Sequence, residues 1–219
     1  MLVTVSSMLP KQIRQDSRGL ALMEFALCLP LLIIGSLWLL EFGNYCIVRQ
    51  QISQLALQIS DNAARIGTQN SVQTEIDEKQ INDLFVGAGL QSGPLNLARN
   101  GRVILTSLEV DADQPHGQYL HWQRCYGMLT YPSTYGKQGD GKGNSTVSGM
   151  GPANARIVAG SSAPAMFVEI AYQYQPIISA RFAPPPLMHE IAAMMVRDNR
   201  DTSDPGVNPV NGVNASTCN

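Results

Sequence analysis

The feature that most constrains this chain is an apolar run close to its start. Residues 20–40 contain a single charged side chain, Glu24, among 21 residues. A helix needs about 20 predominantly apolar residues to cross the hydrocarbon core of a membrane. The rest of the 219-residue chain is polar, so its 44% hydrophobic content averages over a membrane segment and a soluble domain. The sequence therefore predicts one transmembrane helix over residues 20–43.

The charges on either side of the run predict its orientation. Three basic residues and one acidic residue precede it, and aromatic residues lie near its far end. The positive-inside rule assigns the basic side to the cytoplasm. We therefore expect residues 1–19 to be a cytoplasmic leader and the later part of the chain to lie outside. The run is too long for a cleaved secretory signal, and no small-x-small cleavage site follows it.

The residues around Glu24 have the spacing of a processing site. Gly19 is followed by four residues and then by Glu24 and Phe25, with basic residues just before the glycine. This pattern resembles the processing site of type IV prepilins, which a membrane aspartyl peptidase cuts on the cytoplasmic side, after the glycine. The resemblance implies a new terminus at Leu20, with Glu24 as the fifth mature residue. An ordinary anchor with this spacing by chance is the alternative.

A longer stretch of the sequence resembles one family of such proteins more specifically. Residues 17–30 read SRGLALMEFALCLP, and a leucine-rich run then leads to Glu41-Phe42-Gly43. This is similar to TadE-like proteins of the tight-adherence (Tad/Flp) pilus system, which typically read R-G-x-A-x-x-E-F-A-x-x-x-P and close with E-x-G. The similarity is detailed over residues 17–66. The long domain that follows resembles the minor pseudopilins and not the very short major Flp pilins. TadE-like and TadF-like members share this N-terminal pattern.

The resemblance implies a minor pseudopilin that acts in pilus assembly, adhesion or secretion. Its implied partners are the prepilin peptidase, other pilins and pseudopilins, the membrane and the inner-membrane assembly platform. In pilin assembly the glutamate pairs with the terminal amine of a neighbouring subunit, which assigns Glu24 an assembly role. The implied location is the bacterial inner membrane or the pilus, with the C-terminal domain periplasmic. No cofactor and no enzymatic activity are implied.

Two other functions remain open. One is an uncleaved, single-span periplasmic binding or scaffold protein. The other is an anchored periplasmic hydrolase, although no G-x-S-x-G elbow and no H-E-x-x-H motif is present. With 15% charged residues and a net charge of -2, the composition does not predict a basic surface of the kind that binds nucleic acid.

Helical periodicity continues beyond the membrane segment. From Tyr45 onward, apolar residues recur every three or four positions, which predicts an amphipathic extension of the same helix over residues 44–66. This extension packs either on the soluble domain or against another subunit. A second helix is expected over residues 74–88, capped by Thr74 and ended by Gly87, Gly89 and Pro94.

The remaining residues, 67–219, predict an extracytoplasmic α+β domain with the long helix packed on an antiparallel sheet, which is the general pilin plan. Alternation with a period of two predicts four strands over residues 102–110, 119–128, 166–175 and 192–197. The glycine-rich segment 132–152 lacks a Walker motif and is expected to be a mobile surface loop. The tail from residue 202 onward is expected to be coil.

The cysteines and the carboxylates near the C-terminus are the candidates for a disulfide and for a metal site. Cys28 lies in the apolar run and Cys46 just beyond it. Of the possible pairings, only Cys125 with Cys218 leaves Cys28 in lipid and joins the two cysteines of the outer domain. Disulfides persist in that location. Two free thiols are the alternative. No metal site is expected, because no histidine has ligand spacing and the turn carboxylates miss the EF-hand pattern. These carboxylates are Asp198, Asp201 and Asp204.

Overall fold

The computed structural model describes residues 18–111, 114, 117–144, 146–161 and 163–218. The predicted leader, up to residue 17, lies outside this part of the chain. The helices of the described residues are α1 (Arg18–Arg65), α2 (Glu78–Gln91), the 3-10 turn η1 (Gly93–Leu95) and α3 (Leu97–Asn100). The strands are β1 (Thr68–Gln69), β2 (Thr74–Glu75), β3 (Gly101–Val110), β4 (Gln118–Tyr126), β5 (Ala165–Gln173) and β6 (Leu187–Met195).

The chain divides into two compact units. The first contains the beginning of α1, up to Asn44, and a loop of residues 176–183. The second contains residues 45–175 and the chain from Pro184 onward.

The second unit is built around a four-stranded antiparallel sheet with the strand order β4-β3-β5-β6. β3 and β5 are the central pair, with Thr106 opposite Phe167, and a register shift follows Ser107 in the pairing of β3 with β4. β1 and β2 form a separate small ribbon. A long apolar helix followed by an antiparallel sheet confirms the α+β class.

The amphipathic part of α1 buries one of its faces within the second unit. The buried residues recur at helical spacing: Val48, Ile52, Leu55 and Ile59. Tyr45 packs edge-on against Tyr174, with ring centroids 5.2 Å apart. Arg49 Nε donates to Glu190 Oε1 of β6 at 2.7 Å. The apolar stripe is therefore covered by this chain's own domain, and it needs no second subunit to bury it.

The described residues of the glycine-rich segment are largely exposed and form no helix or strand, as its composition predicts, but part of the segment packs on the sheet. Met150 is fully buried in a cluster with Leu108, Leu120 and Phe167, and Tyr135 and Val147 pack against the same cluster. Because this segment covers one face of the sheet, the central strands are buried on both faces. The residues on both faces of these strands are therefore apolar or hydrogen-bonded. The alternation of apolar and polar residues is weaker than in a sheet with one exposed face.

The second helix is shifted from the prediction at both ends. Thr74 belongs to β2, where its N–H donates to Asn199 O at 2.8 Å. Asp77 is the N-cap instead, in a reciprocal capping box with Gln80. The glycines do not end the helix, which continues to Gln91. Gly89 lies inside this helix, and a Cβ at that position would collide with the Tyr126 hydroxyl.

The last strand begins earlier than predicted. β6 covers Leu187–Met195, whereas alternation predicts residues 192–197. β6 is an outer strand of the sheet and most of its residues are only partly buried. Partial burial on both faces leaves its sequence without a clear period of two.

Candidate functional site

The predicted processing residues all lie in the first two turns of α1. Leu20 and Glu24 are four residues apart and therefore share one helix face. Leu20 and Phe25 are both more than half exposed, and Glu24 is exposed as well. Glu24 makes no hydrogen bond or ion pair with any residue that the structure describes. A Cβ at Gly19 would meet nothing within 4 Å, so no steric contact in the described chain requires this glycine.

The helix that carries these residues is long and apolar enough to cross a membrane. Core helices of soluble proteins also pass this test of length and composition, but they are mostly buried. Here none of the apolar window is buried, and its leucines and isoleucines point outward. Such a surface is typical of contact with lipid or with other apolar helices. The structure thus agrees with a single membrane span near the N-terminus.

Glu41 has a structural role that the sequence analysis did not assign. Its side chain is fully buried. Oε2 accepts the N–H of Ile178 at 2.8 Å, and Oε1 accepts the N–H of Ile177 at 3.2 Å. A carboxylate that accepts backbone N–H groups makes a charge-assisted hydrogen bond. The E-x-G signature was the available signal, but the partner loop lies more than 130 residues away along the chain.

Cys125 and Cys218 form a disulfide, in agreement with the predicted pairing. Neighbouring backbone contacts hold the tail in place, since Cys125 N donates to Ser216 O at 2.7 Å. Cys28 and Cys46 are free and exposed. The disulfide leaves Cys125 unable to act as a nucleophile.

His121 is buried between two carboxylates. Its Nδ1 is 3.0 Å from Glu109 Oε2, and its Nε2 is 3.0 Å from Asp204 Oδ1. Carboxylates only accept, so both contacts are hydrogen bonds only when the imidazole carries two protons. Burial is the largest single influence and lowers the pKa of His121, but hydrogen bonding and charge attraction from Glu109 and Asp204 outweigh it. The pKa of His121 is therefore raised above its ordinary value.

The remaining groups around His121 complete a hydrogen-bonded cluster. Glu109 also accepts from Ser107 Oγ at 2.7 Å and from the Tyr119 hydroxyl at 3.3 Å. Lys142 Nζ donates to both oxygens of Asp204, at 3.0 and 3.1 Å. The lysine, followed by the histidine, lowers the pKa of the Asp204 carboxyl. The cluster joins the sheet to the glycine-rich segment and to the tail.

A second histidine lies beside a serine and a glutamate, but not in the order of a catalytic triad. Ser133 Oγ donates to Glu169 Oε1, and the N–H of Thr134 donates to Oε2 at 2.9 Å. His189 Nε2 is 3.4 Å from the same Oε2, and its geometry is not that of a hydrogen bond. The carboxylate lies between the two candidate catalytic groups, so the histidine is not positioned to take the serine proton.

The turn carboxylates do not converge. Asp198 receives hydrogen bonds from Arg200, Asp201 accepts the N–H of Ser203, and Asp204 contacts His121 and Lys142. Among the described residues, no group of three or more acidic, histidine or cysteine side chains is arranged to hold a metal ion. Comparisons of the chain with protein-family models, with curated proteins and with solved structures found no match.

Proposed function

We propose that this chain is a minor pseudopilin of a Tad/Flp-type pilus. A prepilin peptidase cuts it after Gly19, and the mature chain then takes part in pilus assembly, adhesion or secretion. It lies in the bacterial inner membrane, with its N-terminus cytoplasmic and its large domain periplasmic, and it associates with other pilins and the assembly platform. Its fold is pilin-like, with a long helix packed on an antiparallel sheet.

The observation that carries the proposal is the state of Glu24. It is the only charge in residues 20–40, it is exposed on an exposed apolar helix, and no described residue pairs with it. An unpaired carboxylate within an apolar helix costs a few kcal/mol in a membrane, so such groups ordinarily have a partner. Cleavage after Gly19 creates that partner, because it leaves an ammonium group at Leu20 of each subunit.

The ammonium of a neighbouring subunit gives the assembly a defined register. Two opposite charges attract strongly where water is excluded, and removing one partner leaves a buried charge that costs about 3–5 kcal/mol. A staggered packing that brings Glu24 to the Leu20 amine of the next subunit is therefore favoured over packings that separate them. The apolar side chains around Glu24 exclude water from the pair.

The first experiment is the N-terminal sequence and intact mass of the protein recovered from membranes, with and without the prepilin peptidase. We expect a start at Leu20 that depends on the peptidase and is lost in Gly19→Ala. Gly35→Ala is the matched control, because Gly35 lies in the same helix and a Cβ there also meets nothing within 4 Å. A start at Met1 in both backgrounds would contradict the proposal and leave an uncleaved anchor.

The second experiment tests the assembly role of Glu24 in the cleaved protein. We expect Glu24→Gln to be inserted and cleaved, but to co-purify with other pilins at least tenfold less than the unaltered chain. Asp83→Asn, which changes an exposed carboxylate of α2, is the control and is expected to have no effect. Equal incorporation of Glu24→Gln would show that Glu24 does not direct assembly.

A further inference from the structure

The second unit contains a polar cleft that the proposed function does not use. It has a volume of about 670 Å³, within the range of about 300–1,000 Å³ typical of small-molecule sites. Its floor is formed by β3, β4 and the disulfide, and its wall by residues 130–138. Its lining includes Arg102, Thr130, Tyr131, Lys137 and Gln138.

The cleft carries positive charge without a matching carboxylate. Arg102 donates from Nη1 to Gly127 O at 3.0 Å, and its Nε is buried with no hydrogen-bond partner. Burial lowers the pKa of Arg102. Lys137 makes no ion pair with any described residue, and none of the described residues that line the cleft is acidic. Arg102 is half-buried with no anion in contact among the described residues, and an anionic ligand would compensate its charge.

Glu169, an acidic residue of the neighbouring strand β5, is already hydrogen-bonded to other groups. Glu169 is opposite Ile104, a residue of the cleft floor. However, the carboxylate of Glu169 is held by Ser133 Oγ and by the N–H of Thr134. It is not an ion-pair partner of Arg102 in the described chain. Arg102 therefore has no carboxylate in direct contact among the described residues.

The neutral groups of the cleft suggest a hydroxylated ligand. Gln138 Oε1 accepts from Gln123 N at 3.2 Å and from Arg124 Nη1 at 3.3 Å, which fixes the amide and leaves its NH₂ group to donate. The Thr130 hydroxyl makes no hydrogen bond to a described residue. Tyr131 adds an aromatic ring, a surface on which the apolar face of a sugar packs well.

We propose that this cleft binds a sugar acid through its carboxylate. The planar guanidinium of Arg102 matches a carboxylate, and Lys137 adds a second cation at the rim. Gln138 and Thr130 hydrogen-bond the ring hydroxyls, and Tyr131 contacts the ring. A uronic-acid residue has this combination of one carboxylate, several hydroxyls and an apolar ring face. The inference does not depend on the pseudopilin assignment.

The test is to titrate glucuronate into the full chain in detergent micelles at constant ionic strength. Binding is measured by calorimetry and by the changes in amide chemical shifts. We expect glucuronate to bind and to shift residues 130–138, and glucose to bind at least tenfold more weakly. Arg102→Gln is expected to weaken glucuronate binding about tenfold or more, the scale of one charge-assisted hydrogen bond.

Two further variants separate binding from folding. Lys137→Ala changes an exposed rim residue, so the fold is retained, and it is expected to weaken glucuronate binding. Lys79→Ala removes an exposed lysine of α2 as a control and is expected to change nothing. Absence of glucuronate binding, or unchanged binding in both Arg102→Gln and Lys137→Ala, would overturn the proposal. Acetate or inorganic phosphate binding as tightly as glucuronate would overturn the sugar-acid assignment.

Discussion

Replacing Glu41 by glutamine tests whether one buried carboxylate fixes the loop of residues 176–183. Both carboxylate oxygens accept backbone N–H groups, from Ile177 at 3.2 Å and from Ile178 at 2.8 Å. Glutamine keeps one acceptor oxygen and replaces the other by an NH₂ group, which would face an N–H donor. We therefore expect the loss of at least one charge-assisted hydrogen bond, worth about 1.5–3 kcal/mol.

Losing this free energy should measurably raise the equilibrium constant for local opening of the loop of residues 176–183. Each 1.4 kcal/mol corresponds to a tenfold change in an equilibrium constant, so the amides of Ile177 and Ile178 should exchange about 10–150 times faster. Hydrogen exchange of the full chain in detergent micelles measures this rate. Glu24→Gln is the control, because Glu24 makes no hydrogen bond or ion pair with a described residue. Unchanged exchange at Ile177 and Ile178 in Glu41→Gln would refute the reasoning.

Three further predictions concern the second unit. Replacing Cys125 and Cys218 by serine opens a loop with a sequence separation of 93 residues. Urea unfolding should then show a free energy of unfolding lower by about 4–5 kcal/mol, because the unfolded chain gains loop entropy. A decrease below about 1 kcal/mol would contradict this. The pKa of His121 is raised in the folded state, so its stabilisation is complete below the unfolded pKa of about 6.5 and is lost as the pH rises through the folded value. Unfolding curves across pH should show this loss, and His121→Gln should abolish it. Gly127→Ala should lower the free energy of unfolding by more than about 1 kcal/mol, because φ is +99° and a Cβ would collide with Gly101 O; an unchanged melting temperature would show that the backbone relaxes.

Local sequence patterns predicted the long helix and the central strands of this fold. The apolar run and the spacing after Tyr45 predicted one continuous helix, and α1 has this extent among the described residues. Alternation predicted the central strands β3 and β5, and topology predicted the disulfide. The helix cap was misassigned because Thr74 and Asp77 have the spacing of a capping box, whereas Thr74 is held in β2 by contacts with the distant tail.

Contacts between distant segments could not be predicted. Met150 is buried because a glycine-rich segment folds over the sheet, and its composition carries no sign of that packing. Glu109 and His121 meet through the pairing of adjacent strands, but Asp204 reaches His121 across 83 residues. The loop partner of Glu41 is equally remote. Such contacts depend on tertiary packing and have no period or local motif.

The disulfide also limits how the chain responds to tension. Under a pulling force, an unfolded chain lengthens by about 3.3–3.6 Å per residue. The Cys125–Cys218 bond closes a ring with a sequence separation of 93 residues that contains β5 and β6. Roughly 300 Å of contour length is therefore withheld from extension while the bond is intact. A load applied through α1 can draw out only the chain before Cys125, so mechanical unfolding would stop there until the bond is reduced.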